Sequence, residues 1–200
     1  MLAVVKTPLR LRTFPGYGYF LAQGYTTWPE NWNTSVIHSH RGPVIPNSKM
    51  HGCYNGIGLW FVEGIAGIRV HASESPPLTI RAGVDAGDLT WARGHRAALH
   101  GRAASAWAIG PSGFAHNVTV PANAVARVLI PCGAAGASES DVRESGKPLA
   151  SAAGITVVGL ETVNGVRYVA MEAGSGEYRF SSTWRPAPLR IAGRPAAAPS

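Results

Sequence analysis

The chain has 200 residues, 46% hydrophobic and only 14% charged, with a formal charge of +7. That length suits one large domain or two small ones with a real core, and the sparse charge leaves Ser, Thr, Asn and Gly to supply much of the polar surface. The basic residues are scattered, with no Lys/Arg run and no basic–aromatic stripe, which excludes the usual nucleic-acid footprint; no stretch reaches the ~18 apolar residues of a membrane span.

The N-terminal "MLAVVKTPLRLRTF" runs apolar then basic, the reverse of a secretory signal. The first predicted helix lies in "FPGYGYFLAQG", where Phe14, Tyr17, Phe20 and Leu21 fall at helical spacing and Gly24 reads as a C-terminal stop. A long, proline-punctuated polar loop follows, "TTWPENWNTSVIHSHRGPVIPNSKMHG". Its tryptophans and histidines mark it as functional rather than disordered. The second predicted helix is "YNGIGLWFVEGIAGI", with Ile57, Trp60, Phe61, Ile65 and Ile68 on one face. Gly56, Gly58, Gly64 and Gly67 are unfavourable inside a helix unless something must approach the backbone closely.

After residue 75 the hydrophobic period becomes two. "LTIRAG", "DLTWARGHR", "GRAASAWAIG", "FAHNVTV" and "AVARVLI" read as strands separated by turn residues, and "GITVVGLETV", "VRYVAMEAG" and "GEYRFSS" continue the pattern. Asn164-Gly165 predicts a tight hairpin. About eight strands at this spacing predict a β-sandwich, with Trp91, Trp107 and Tyr168 in its core and Trp184 covering the edge of the last strand. "GAAGASESDVRESGKPLASAAG" reads as a long connection and the Pro/Ala-rich end as a disordered tail. The expected layout is therefore α+β: a short helical segment over residues 1–70, an antiparallel β-sandwich over 71–182 and a tail over 183–200. Two helices and a loop cannot bury their own apolar faces as a domain, so the helical piece reads as the end of something larger.

Glu30 draws attention within "GYTTWPENWN". It stands between Trp28 and Trp32, and Glu63 is the only other carboxylate in residues 1–70. A catalytic acid or base and a solvated surface charge both fit the residues alone. Trp28 and Trp32 fit either core packing or stacking on a sugar ring; His51 fits either a structural role or a polar contact. His38 and His40 lack a third ligand at recognisable spacing, and Cys53 and Cys132 are far apart, so neither metal nor cofactor is expected.

Residues 14–70 resemble the closing segment of the catalytic barrel in bacterial-type α-L-rhamnosidases, glycoside hydrolase family 78. The residues carrying the likeness are "AQGYTTWPENW" at 22–32, "SKMHG" at 48–52 and "WFVEGIAGI" at 60–68. The second half resembles the same family's C-terminal sandwich through "LTWARG" at 89–94, "NVTVPANAVARVLIP" at 117–131, "ESGKPL" at 144–149 and "GSGEYRF" at 174–180. The resemblance implies the end of an (α/α)6 six-hairpin barrel and inverting hydrolysis of terminal α-L-rhamnosides, with a rhamnose-containing glycoside or polysaccharide as partner. Such chemistry needs two carboxyls ~6.5–9.5 Å apart, one as acid on the leaving oxygen and one as base on a water. The resemblance makes Glu30 the base and places Trp28, Trp32 and His51 against the sugar. It implies that the acid lies in a missing part of the barrel, so that the chain alone is expected to be inactive. The family's Leu-Trp-Glu is here Trp28-Pro29-Glu30, and the Asn before the family's histidine is Met50. A non-catalytic carbohydrate-binding or structural sandwich module is the alternative reading.

Overall fold

The computed structural model describes residues 12–13, 16–29, 48, 50–52, 56–133 and 138–186. Helix α1 (Tyr17–Ala22) comes first; α2 (Gly56–Trp60) follows and widens directly into a π-helical turn, Phe61–Ala66. Gly67, at φ 84°, ends that turn, and the chain enters strand β1 (Ile68–Val70) with no linker. The second predicted helix is thus present, but Phe61–Ala66 take the wider spiral and Ile68, its last predicted residue, is already in a strand.

Ten more strands follow: β2 (Leu78–Arg81), β3 (Trp91–Ala98), β4 (Gly101–Gly110), β5 (Gly113–Val120), β6 (Ala126–Pro131), β7 (Val142–Glu144), β8 (Lys147–Pro148), β9 (Ile155–Val163), β10 (Val166–Ala173) and β11 (Gly176–Ser182). They form two sheets, ordered β1-β2-β6-β10-β9 and β3-β4-β5-β11-β7-β8. All pairings are antiparallel except β2 with β6, which run parallel with Ile80 opposite Val128. The result is the β-sandwich that the period-two pattern predicts.

Alternation explains the core. In β4, Ala103, Ser105 and Trp107 face inward; in β5, Phe114, His116, Val118 and Val120 do so. Ile80, Val128, Ile130, Val169 and Met171 meet them from the other sheet. Trp107 and Phe114 stack with centroids 6.4 Å apart, and Trp184 meets Phe114 edge-on at 6.2 Å. Trp184 is itself buried, so residues 183–186 still run along the sandwich. Tyr168 is also buried, but Trp91 is 63% exposed and does not join the core. The register pairs Ala92 with Trp107. With a side-chain period of two, that places Trp91 on the opposite face.

The Asn164-Gly165 hairpin forms as predicted, with φ of 51° and 78° at the two turn residues. The connection after residue 133 contains a second such hairpin: Ser145 and Gly146, at φ 47° and 79°, join β7 to β8. The chain from β7 adds two strands to the sheet edge where a plain loop was expected.

Two glycines of the helical segment test this geometry. A Cβ on Gly67 would sit 1.9 Å from the Arg81 carbonyl oxygen on a left-handed backbone, whereas one on Gly58 meets nothing within 4 Å. Urea denaturation is expected to show Gly67→Ala destabilised by about 2–4 kcal/mol, and Gly58→Ala neutral or stabilised by up to about 1 kcal/mol.

Candidate active-site segment and its attachment

Helix α1 ends as the sequence predicts. Gly24, at φ 76°, donates its N–H to the Leu21 carbonyl at 3.1 Å, and Tyr25 donates to the Phe20 carbonyl at 3.0 Å. Those two bonds are the Schellman pattern, and the expected apolar contact accompanies them: the Phe20 and Tyr25 rings lie 5.6 Å apart. The left-handed glycine turns the chain back over its own helix. Trp28 consequently packs edge-on against Tyr17, centroids 5.0 Å apart at 80°, and beside Phe20 at 6.4 Å. Phe20 is fully buried and Pro29, just before Glu30, is buried as well. The indole of Trp28 is therefore one wall of an aromatic cluster and remains half-exposed.

The backbone N–H of His51 donates to the Trp28 carbonyl at 2.9 Å. This bond brings two of the sequence-predicted site residues side by side across more than twenty intervening residues. His51 is exposed. Glu30, Trp32, His38 and His40 lie outside the described residues. Glu63, the other early carboxylate, is committed elsewhere: its Oε1 accepts from Arg96 Nη1 at 2.6 Å.

The helical segment is held to the sandwich by its last carbonyls. Trp107 Nε1 donates to the Ile65 carbonyl at 2.9 Å, and the Gly83 N–H donates to the same oxygen at 3.1 Å. Ser105 Oγ donates to the Ala66 carbonyl at 2.6 Å, and Arg81 N–H donates to the Gly67 carbonyl at 2.8 Å. Helix ends carry unsatisfied carbonyls; here strand side chains and backbone satisfy them. Close approach needs missing side chains. A Cβ on Gly83 would lie 2.1 Å from the Gly64 oxygen, and one on Gly94 would lie 2.8 Å from the Ala66 Cβ.

Behind Ser105 stands His116, fully buried, its Nε2 2.8 Å from Ser105 Oγ. The single Ser105 proton is spent on the Ala66 carbonyl, so the imidazole must be the donor, with its proton on Nε2. Its Nδ1 then faces the interior with no partner. Burial pushes the ring's pKa down from 6.5 to about 3, because a charged imidazole would carry an unsatisfied N–H into apolar surroundings. Sequence reasoning missed Ser105 and His116. Their only signal was polarity at inward positions of otherwise apolar β4 and β5.

The bacterial α-L-rhamnosidase six-hairpin glycosidase domain model matches residues 4–65, which hold the aromatic turn and α2. The bacterial α-L-rhamnosidase C-terminal domain model matches residues 78–145, within the sandwich. The chain belongs to the bacterial α-L-rhamnosidase family. An α-L-rhamnosidase of Streptomyces avermitilis is 36% identical over 125 residues, covering 62% of this chain and 12% of the relative. One from Formosa agariphila is 33% identical over 119 residues, covering 60% and 13%. Against these curated relatives the chain thus spans about one eighth of their length. Among solved structures, the S. avermitilis α-L-rhamnosidase complexed with L-rhamnose superposes with a TM-score of 0.62 at 30% identity, over 86% of this chain and 15% of that one. The α-L-rhamnosidase from Dictyoglomus thermophilum shares the fold, with a TM-score of 0.64 at 24% identity over 87% and 18%. Both superpositions cover more of this rhamnosidase-family chain than the sandwich alone.

The His116 arrangement sets a pH dependence. Between about 3 and 6.5 the unfolded chain binds a proton that the folded ring refuses, so stability rises with pH through that window. The contribution is fully present above the unfolded value and is lost as pH falls. From pH about 7 to about 5 this term removes about 2 kcal/mol. Urea midpoints of the wild-type chain and His116→Gln, measured across that range, are expected to show the variant losing correspondingly less on acidification.

Proposed function

We propose that this chain contributes to the inverting hydrolysis of terminal α-L-rhamnosides and that Glu30 is its general base. The observation that carries the reading is the clamp between the Trp28 carbonyl and the His51 N–H, 2.9 Å long, two residues before Glu30. It lies inside the segment matched by the six-hairpin glycosidase domain. A carboxylate that stands in the sequence between two tryptophans and few other charges is a suitable base: it takes a proton from water as that water attacks the anomeric carbon. Trp28 and Trp32 offer faces to the C–H side and methyl group of a deoxy sugar. His51 supplies a polar contact to a ring hydroxyl. The same segment favours a hydrolase over a non-catalytic module.

The acid is a different matter. Glu63 is bonded to Arg96 on the sandwich side, which removes it from the chemistry. We place the general acid in the portion of the six-hairpin barrel that residues 4–65 do not include. The reaction then divides: this chain activates water and holds the sugar, and the remaining barrel protonates the leaving oxygen.

Two measurements test the reading. The purified chain alone is expected to release no aryl group from an aryl α-L-rhamnoside above the blank; turnover abolished by Glu30→Gln would show that the chain contains both carboxyls. In a protein joining the chain to a complete barrel, Glu30→Gln is expected to lower kcat by about 10²–10⁴-fold with little change in rhamnose affinity. Unchanged kcat would remove Glu30 from the role.

A further inference from the structure

A pocket of about 370 Å³ opens where the helical segment meets the first sheet; Leu59, Trp60, Glu63, Arg69 and Arg81 line it. Its size is at the lower end of the about 300–1,000 Å³ usual for small-molecule sites, enough for a single ring. The Trp60 indole is fixed there by a vacancy one helical turn on. A Cβ on Gly64 would lie 2.6 Å from Trp60 Cδ1 and Nε1, so the ring lies directly over bare backbone. Trp60 is half-buried, and its indole N–H has no hydrogen-bond partner among the described residues.

The charges around the pocket are almost all spoken for. Arg81 Nη1 lies 3.2 Å from the Tyr168 hydroxyl and 3.5 Å from Asp85 Oδ2. Arg127 is paired with Glu161, and Glu63 Oε1 with Arg96 at 2.6 Å. Arg69 is different. Among the described residues it has neither an ion pair nor a hydrogen bond, although it lines both this pocket and the adjoining groove beside Glu74, Thr79 and Arg127. A half-buried guanidinium with no partner among the described residues is a ready receptor for a planar or tetrahedral oxyanion.

We propose that this pocket binds one anionic pyranose unit, with the ring against Trp60 and its carboxylate or sulfate ester on Arg69. Glu63 Oε2, left over by the Arg96 bond, accepts from a ring hydroxyl, and the Trp60 indole N–H donates to another. The choice of a sugar to carry the anion rests on the rhamnoside reading above; the anion itself rests on Arg69. The subsite is separate from the Trp28–His51 turn and lies at the junction of helix and sheet.

The test is calorimetric titration of the full chain with methyl β-D-glucuronide, glucose 6-sulfate and neutral methyl β-D-glucoside. The charged probes are expected to bind at least about tenfold more tightly than the neutral one, as one charge-assisted bidentate contact implies. Arg69→Gln is expected to erase that difference, and Trp60→Ala to weaken all three. The two charged probes distinguish carboxylate from sulfate as the preferred group. Equal binding of all probes, no binding at millimolar concentration, or an unchanged preference in Arg69→Gln overturns the proposal. Arg69 has no partner among the described residues to lose, so that variant remains informative even if Trp60→Ala fails to fold. Neutral L-rhamnose, titrated into the same proteins, reports on the Trp28 turn: rhamnose bound without the anionic sugars sinks only this subsite, and the reverse sinks only the rhamnoside reading.

Discussion

The joint between helix and sandwich rests on the satisfaction of a few carbonyl oxygens. A helix that ends inside a protein must find donors for its last carbonyls, and an unpaired buried carbonyl costs about 1–3 kcal/mol. Here Trp107, Ser105 and the backbone of Gly83 and Arg81 provide those donors. The π-helical turn fits the same logic. Its wider spiral closes with Gly67 N–H on the Val62 carbonyl at 2.9 Å, and it leaves the Ile65 and Ala66 oxygens turned toward β4. Gly67 and Gly83 then allow backbone to rest on backbone, and Gly94 leaves room for the Ala66 methyl. Removing any one of these features would leave the others without a purpose.

That joint explains how the end of the helical segment stays placed. Among the described residues of its helices, Phe20 and Ile57 are the large apolar side chains that are buried, whereas Leu21, Leu59 and Phe61 remain exposed. The sandwich supplies a rigid platform: a continuous core, several tight hairpins and Trp184 folded back onto Phe114. Trp60 and Glu63 gain fixed positions because the next residues of their helix are bolted to strands. The aromatic turn is ordered differently, by the left-handed Gly24 and by the bond between Trp28 and His51. One chain thus carries two kinds of order, local at Trp28 and long-range at the π turn.

Much of this was legible in the residues. The strands of the sandwich followed from alternation, and Asn164-Gly165 and Gly24 each announced a backbone shape that few other residues tolerate. Ser145-Gly146 carries the same signal but sits among so many small polar residues that it reads as loop. Trp91 was misplaced because hydrophobicity alone does not fix register; only the pairing of Ala92 with Trp107 does. The polar seam was opaque for a deeper reason. Ser105 and His116 are buried because of partners on other elements, and no window of sequence contains those partners. For the candidate site, sequence marked Trp28 and His51, and the backbone bond joins them.

The seam also has a temporal side. Ser105 and Trp107 lie 39 and 42 residues after the oxygens they serve. During synthesis the helical stretch leaves the ribosome before β4, and although Arg81 and Gly83 can serve the Gly67 and Ile65 carbonyls early, the Ala66 carbonyl waits for Ser105 until β4 has been made and paired. The platform is therefore a late-arriving cap for an early-made helix. Vectorial folding of this protein completes the helical segment late, and a nascent chain halted before residue 105 would hold that segment without the strand that finishes it.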